Sequence, residues 1–433
     1  MDCRVYLHSL GCRLNQSEVE AMARRFAAVG YIPTQDPAEA DICILNTCAV
    51  TAEAERKTRH RLRALHRANP AARIGVVGCA ATLKPGGLAR LPGVAWVVPN
   101  EEKEWVVEIA TGERPSRRSG DLTPSPSPCR RGGEGEVSPP TPRTRALVKV
   151  QDGCDNHCTY CVVRLLRGPA RSRPPEEVVA EVQSLVAAGR REVVLTGVNL
   201  GAYGRDLGMG QGLARLIEAI LSGTDLPRLR LSSLEPWDLD EGFFKLWADA
   251  RLCRHLHLPL QSGCGGTLRR MGRPITPERY ARLTEAARAA VPDLALTTDV
   301  MVGFPGEDEA AFAESLAFVE RLGFARLHVF PFSPRPGTPA ARVSGQVDPQ
   351  VRRERARRMR KLGTRLAEDF RQRFVGREME VLWERHRADG FWHGLTDNYL
   401  RVVTRASADL HNRATRTRLL AARDGLLVGE VVG

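Results

Sequence analysis

Gly153-Cys154-Asp155-Asn156-His157-Cys158-Thr159-Tyr160-Cys161 follows the apolar run 146–151 and sets three thiols on one short loop, three and then two residues apart. Thiolates so spaced can hold three irons of a cubane cluster, whereas a tetrahedral zinc would lack a fourth ligand within reach. The fourth iron is then open. An open, low-potential iron suits a radical enzyme that grips S-adenosylmethionine by its amino and carboxylate groups and pushes an electron into its sulfonium. The alternative is a closed zinc or iron-sulfur site completed by a distant cysteine. Closed sites usually draw on two close pairs of ligands, and these three cysteines have no such second pair.

Downstream of this loop the pattern alternates strand and helix. Strand candidates fall at 146–151, 192–197, 228–234, 255–261, 295–303 and 326–333, with helices at 175–188, 277–290 and 308–322. Gly189 and Gly323 stand where helix stop signals belong. Six such units predict a partial (β/α)6 barrel, whose functional groups gather at the carboxyl ends of its strands. Strand-end position makes Tyr160 a candidate neighbour of the adenine of the cosubstrate, and Thr196 and Gly197 candidates for its methionine amine. Ser233, Glu235, Gln261 and Asp299 are further candidates at later strand ends. A structural cap is the competing role for each.

Upstream, residues 1–112 alternate apolar runs with helical stretches and predict an open α/β sheet. The runs are Val5-Tyr6-Leu7, Ile42-Cys43-Ile44-Leu45 and Ile74-Gly75-Val76-Val77, with helices from about Asn15 to Val29 and from about Thr51 to Ala68. Cys12, Cys48 and Cys79 each lie just past the carboxyl end of one run, the edge of such a sheet at which ligands bind. Topology therefore brings three more thiols together and predicts a second cluster. A small buried hydrophobe is the competing reading for any one of them. Cys43, inside a strand, reads as core, and Cys3 has no assigned role.

The chain has 433 residues, 11 cysteines and a formal net charge of +13. It has no apolar run of membrane-spanning length and no signal-peptide core, so a cytoplasmic protein with reduced thiols is expected. The basic balance favours a polyanionic partner, RNA above all, unless Arg is simply this chain's usual surface charge. The segment 113–145, rich in Pro, Ser, Gly and charge, reads as a disordered linker or insertion, with Cys129 an incidental thiol. A basic helical connector follows the barrel (146–345) at 346–373. Its segment Arg352 to Lys361 holds seven basic residues and one acid. A solvated face is the default for such a run, and RNA contact the alternative. Residues 374–433 contain short β-rich runs that predict a small closed β-barrel. There Trp392 and Tyr399 are candidates to stack on bases, or else core.

Leu10-Gly11-Cys12-Arg13-Leu14-Asn15, Asn46-Thr47-Cys48-Ala49-Val50-Thr51, Gly78-Cys79, Val150-Gln151-Asp152-Gly153-Cys154, Leu258-Pro259-Leu260-Gln261-Ser262-Gly263 and the run from Thr297 to Glu307 resemble the radical S-adenosylmethionine methylthiotransferases. The likeness extends over nearly the whole chain. It is nearest to the bacterial branch acting on N6-threonylcarbamoyladenosine at position 37 of tRNA. The resemblance implies one [4Fe-4S] cluster on Cys154, Cys158 and Cys161, another on Cys12, Cys48 and Cys79, and a C-terminal TRAM barrel that contacts the tRNA anticodon loop. It also implies that S-adenosylmethionine is used twice, once for a radical that takes the hydrogen from C2 of adenine and once to methylate sulfur. An electron donor such as flavodoxin or ferredoxin and a sulfur source are implied as well.

One departure is visible: Val162-Val163-Arg164-Leu165-Leu166 precedes Arg167-Gly168 where members commonly have Pro and an aromatic residue. Rival substrates within the family are N6-isopentenyladenosine-37 in tRNA and an aspartate of a ribosomal protein. A redox-sensing iron-sulfur protein that binds RNA without catalysis is the rival outside it.

Overall fold

The computed structural model describes residues 3–113 and 144–432. The expectations for most of 113–145, including Cys129, lie outside them. Five parallel strands, β1 (Arg4–Ser9), β2 (Ile32–Thr34), β3 (Ile42–Thr47), β4 (Arg73–Gly78) and β5 (Val94–Val98), form one sheet in the order β2-β1-β3-β4-β5. All six residues of β3 are buried, as a central strand covered on both faces requires. The helix Ala52–Ala68 starts at Thr51, whose hydroxyl accepts from the Ala54 amide at 3.1 Å. It carries Glu53 and Glu55 in its first turn and His66 and Arg67 in its last, in accord with the helix dipole.

The second unit begins with β6 (Arg145–Lys149), followed by the two-residue strands β7 (Gln151–Asp152) and β8 (Arg171–Ser172). Then come β9 (Glu192–Thr196), β10 (Arg228–Leu231), β11 (His255–His257), β12 (Ala295–Val302) and β13 (Arg326–Pro331). They form two parallel sheets, β10-β9-β6 and β11-β12-β13. Isolated parallel bridges, Leu229 to Leu252 and Ser233 to His257, join them. The result is an open six-stranded barrel whose free edges are β6 and β13. Along β6, Ala146 and Val148 pack on Val178 and Val182 of the helix Pro175–Ala187. Strand alternation therefore turns Arg145, Leu147 and Lys149 towards the lumen. The same alternation turns Glu192, Arg230, His255, His257, Thr297, Asp299, Arg326 and His328 inward.

The helix Pro349–Gln372 leads into β14 (Glu378–His386), β15 (Trp392–Thr396), β16 (Arg401–Thr404), β17 (Ala414–Arg423) and β18 (Leu426–Val431). These close a five-stranded barrel. Trp392 is core there, packed with Trp383 and Val402. The basic run before it is divided between two roles: Arg353, Arg357, Arg360 and Lys361 lie on an exposed face, as a solvated charge run would, while the other three basic residues turn to the large barrel. Arg355 binds Glu307 at 3.0 Å and Arg358 binds Glu309 at 2.6 Å, while Arg352 donates to the Phe332 carbonyl, so these three fasten the helix to the large barrel.

Among the described residues no helix is long and apolar enough to cross a membrane. Among the described residues nine cysteines are free thiols, but Cys3, just ahead of β1, is disulfide-bonded and departs from the expectation of reduced thiols throughout.

Candidate functional site

The loop 153–161 leaves the lumen-facing end of β7. Its entry needs glycine: Gly153 has φ +70°, and a Cβ there would stand 1.8 Å from the Pro169 carbonyl oxygen. Cys154, Cys158 and Cys161 are close enough to raise one another's pKa. Burial is the larger cause, and together these effects push the Cys154 thiol up to about 11 and the Cys161 thiol up to about 12. Burial also raises Cys158, opposed by Arg273. Arg273 is buried, and it binds Glu235 at 2.8 Å, donates to the Pro259 carbonyl and reaches the Tyr160 hydroxyl at 3.3 Å. Burial holds the Glu235 carboxyl above its usual range, with Arg273 pulling the other way.

Cys12 is the N-cap of the helix Arg13–Ala28, Cys79 opens the helix Cys79–Leu83, and Cys48 follows β3. Helix N-termini favour thiolate over thiol, so these positions suit metal ligation. The loops approach closely: at Gly11, φ +107°, a Cβ would meet the Cys48 Cβ at 2.6 Å. Burial first, then Cys79 and Cys12, push the Cys48 thiol up to about 11. Two sets of three mutually interacting thiols, with no carboxylate or imidazole hydrogen-bonded to a sulfur among the described residues, are all-sulfur donor sets that suit iron-sulfur clusters.

A short turn joins the two sets. Six residues after Cys161, the buried Arg167 binds Glu18 at 3.0 Å, Asp152 at 2.8 Å and the Asn15 side chain at 2.8 Å. Lys103 binds the same Glu18 at 2.6 Å. Burial opposes ionisation of Glu18, yet Lys103 and Arg167 hold it well below the usual carboxylate range. Val162 and Leu166, part of the departure noted above, are buried in the core of the N-terminal sheet beside Cys79 and Ala80.

The cosubstrate candidates are distributed unevenly. Tyr160 and Glu235 cluster with Arg273 beside the thiols. Gly197 lies under the Gln151 side chain, where a Cβ would stand 2.9 Å from Oε1. Thr196 is buried at the end of β9, Ser233 bridges to His257, and Gln261 has φ +71°. Asp299 is placed differently from the strand-end expectation. It lies mid-strand, where one carboxylate oxygen meets His257 Nε2 and His328 Nδ1, each at 3.3 Å. Burial works against its charge, but those imidazoles outweigh it and hold the carboxyl below its ordinary range.

Two family profiles match the chain: Uncharacterized protein family UPF0004 over residues 4–98 and the Radical SAM superfamily over residues 148–319. The threonylcarbamoyladenosine tRNA methylthiotransferase MtaB of Bacillus subtilis (strain 168) is 36% identical over 424 residues, covering 96% of this chain and 94% of its own. The chain belongs to the radical S-adenosylmethionine methylthiotransferase family. MtaB of Thermotoga maritima is 38% identical, with 92% and 90% covered. The tRNA-2-methylthio-N(6)-dimethylallyladenosine synthase of Geobacillus kaustophilus is 35% identical, with 88% and 73% covered. Among solved structures, the radical S-adenosylmethionine methyltransferase TsrM of Kitasatospora setae superposes with a TM-score of 0.58 at 18% identity, over 79% of this chain and 77% of that one. That likeness concerns the fold alone.

In this radical methylthiotransferase, sequence reasoning missed Arg273, Glu18, Lys103 and Arg167 as site residues. The Arg167-Gly168 pair was a usable signal, because it sits between the two thiol sets. Glu18 and Lys103 are 85 residues apart and carry no local pattern.

Proposed function

We propose that the chain transfers a methylthio group to C2 of N6-threonylcarbamoyladenosine at position 37 of tRNA. The observation that carries this reading is the pair of three-thiol sites held to either side of one turn, Cys161 to Arg167, in a chain that matches MtaB relatives end to end. Cys154, Cys158 and Cys161 would hold one [4Fe-4S] cluster, and Cys12, Cys48 and Cys79 the other. When bound, the clusters and S-adenosylmethionine supply the electron, the radical chemistry at C2 and the sulfur.

The protein's own groups set the conditions. Arg273 places a buried positive charge against Cys158, which favours the thiolate needed for ligation. Tyr160 packs edge-on to Phe304 at 6.3 Å and, with Met301, Met271 and Phe332, forms an apolar wall that excludes water beside the thiol loop. Tyr160, Thr196, Gly197, Ser233, Glu235 and Gln261 are the proposed surroundings of the cosubstrate. Nine free cysteines among the ten described accord with work in the cytoplasm, with an electron donor of the flavodoxin or ferredoxin kind and a separate sulfur source. Nucleoside profiling of tRNA from a deletion strain tests the proposal. Loss of the 2-methylthio group from threonylcarbamoyladenosine is expected. An intact level, or loss from isopentenyladenosine instead, overturns it.

A further inference from the structure

The floor of the large barrel is closed by the small one. The turn between β15 and β16 enters the lumen from below: Arg230 donates to the carbonyls of Thr396 and Asp397, and Arg228 to that of Leu395. Tyr399, held at φ +70°, caps this turn and stacks on His255 with ring centroids 4.7 Å apart.

Around the Tyr399 ring stand arginines from every unit of the chain. Arg13 donates to its hydroxyl at 2.6 Å, Arg145 lies at 3.3 Å from the same oxygen, and Arg230 lies 4.6 Å over the ring. Arg326, on β13 opposite Thr297 of β12, and Arg401, at the start of β16, are neighbours close enough for Arg401, Tyr399 and Arg13 to act on Arg326. Two of these cations are neutralised, Arg145 by Glu384 at 2.7 Å and Arg230 by Glu192 at 2.7 Å. Arg13, Arg326 and Arg401 have no carboxylate partner among the described residues. Arg13 opens the helix that packs on β6, and Arg326 begins β13, so the two come from the barrel's two free edges. Unpaired arginines gathered in a partly enclosed place are a site waiting for an anion with planar, two-oxygen geometry.

Resting on the proposed function, we infer that Arg13, Arg326 and Arg401 receive the carboxylate of the threonylcarbamoyl group, and so select a base carrying an acid over one carrying an alkyl group. The dimensions agree. From Met301, beside the thiol loop, down β12 to Thr297 is about 13 Å. Ordinary bond lengths and angles place that carboxylate at most roughly 8 Å from the C2 carbon of its own base, and an extended arginine side chain covers the remaining roughly 5 Å. With C2 under the thiol loop, the acid arrives at the arginine layer, and the urea linkage passes the His257, Asp299 and His328 layer with donors and an acceptor at hand. The same three arginines could be met by a backbone phosphate of the RNA, the other anion of the substrate.

Binding of anticodon stem-loops to the full-length, anaerobically reconstituted protein separates these sources. Stem-loops that differ only in the base at position 37, threonylcarbamoyladenosine or adenosine, have identical phosphates. The wild-type preference for the modified loop tests the parent reading, and its absence defeats that reading before any variant is made. Given the preference, R326Q and R401Q should each weaken the modified loop about tenfold to a hundredfold and leave the adenosine loop unchanged. R326K should restore part of the loss. Equal weakening of both loops assigns the arginines to phosphate and overturns the inference, as does an unchanged preference. Both residues are exposed and unpaired, so a melting temperature within the wild-type range confirms that the variants are folded.

Discussion

Replacing Glu18 by Gln removes the carboxylate that Lys103 and Arg167 share. Arg167 keeps Asp152 at 2.8 Å, but Lys103, itself buried, has no other acid within ion-pair distance among the described residues. Breaking a buried pair by removing one partner costs about 3–5 kcal/mol. The protein has one way to lessen this, which is to deprotonate Lys103. Holding a lysine neutral at pH 7 costs about 4–5 kcal/mol, which sets the ceiling for that residue. Burial already lowers the Lys103 pKa, opposed by Glu18.

Without Glu18 the folded pKa falls far below the unfolded value. The unfolded state then binds the extra proton, and stability rises with pH by up to about 1.4 kcal/mol per unit. Urea unfolding of E18Q, followed by amide exchange in the helix Arg13–Ala28, should therefore show a loss of about 3–5 kcal/mol at pH 7 that narrows at pH 9. The double variant E18Q/K103M should recover most of it. A loss under about 1 kcal/mol at pH 7, or one that does not change with pH, refutes the reasoning.

Three shorter expectations follow from other parts of the site. Burial opposes the charge on Glu192, yet Arg230 and Arg228 hold its pKa at about 2, so its contribution is complete above about pH 4.3 and lost as the pH falls towards 2. Acid titration of E192Q should show a much smaller stability change in that window, and an unaltered titration contradicts the assignment. Reconstituted protein should carry about eight irons; C158A should lose cleavage of S-adenosylmethionine and C48A should keep cleavage but form no methylthiolated product, so product from either variant contradicts the division between sites. G153A forces a side chain against the Pro169 carbonyl and should bring the iron count to about four with the Cys12 set still loaded, whereas a full count shows that the loop tolerates the change.

Local order was readable where the chemistry is local. The spacing of Cys154, Cys158 and Cys161 and the thiols that end β1, β3 and β4 needed only strand periodicity and topology. Two strands of the first sheet were not among the expected runs. β2 has three residues, one of them Pro33, at an edge where no alternation develops. β5 is an unbroken apolar run whose strand and helix readings are indistinguishable by period. Asp299 counts among the strand-end candidates in the sequence, yet it is the fifth of the eight residues Ala295–Val302. The register with β13 instead sets it opposite His328. Tyr399 read as a base-stacking or core aromatic of a small barrel, since nothing near it in the chain announces Arg13 or His255.

The contact between Arg13 and Tyr399 spans 386 positions of the chain. A ribosome emits the chain from its amino end, and domains fold largely in that order. The thiol loops can thus be in place well before the turn that shuts the barrel from below has been made. The reactive chamber is finished only after Tyr399 has been made, so a chain cut short of that turn carries sulfur ligands without a complete vessel for a radical.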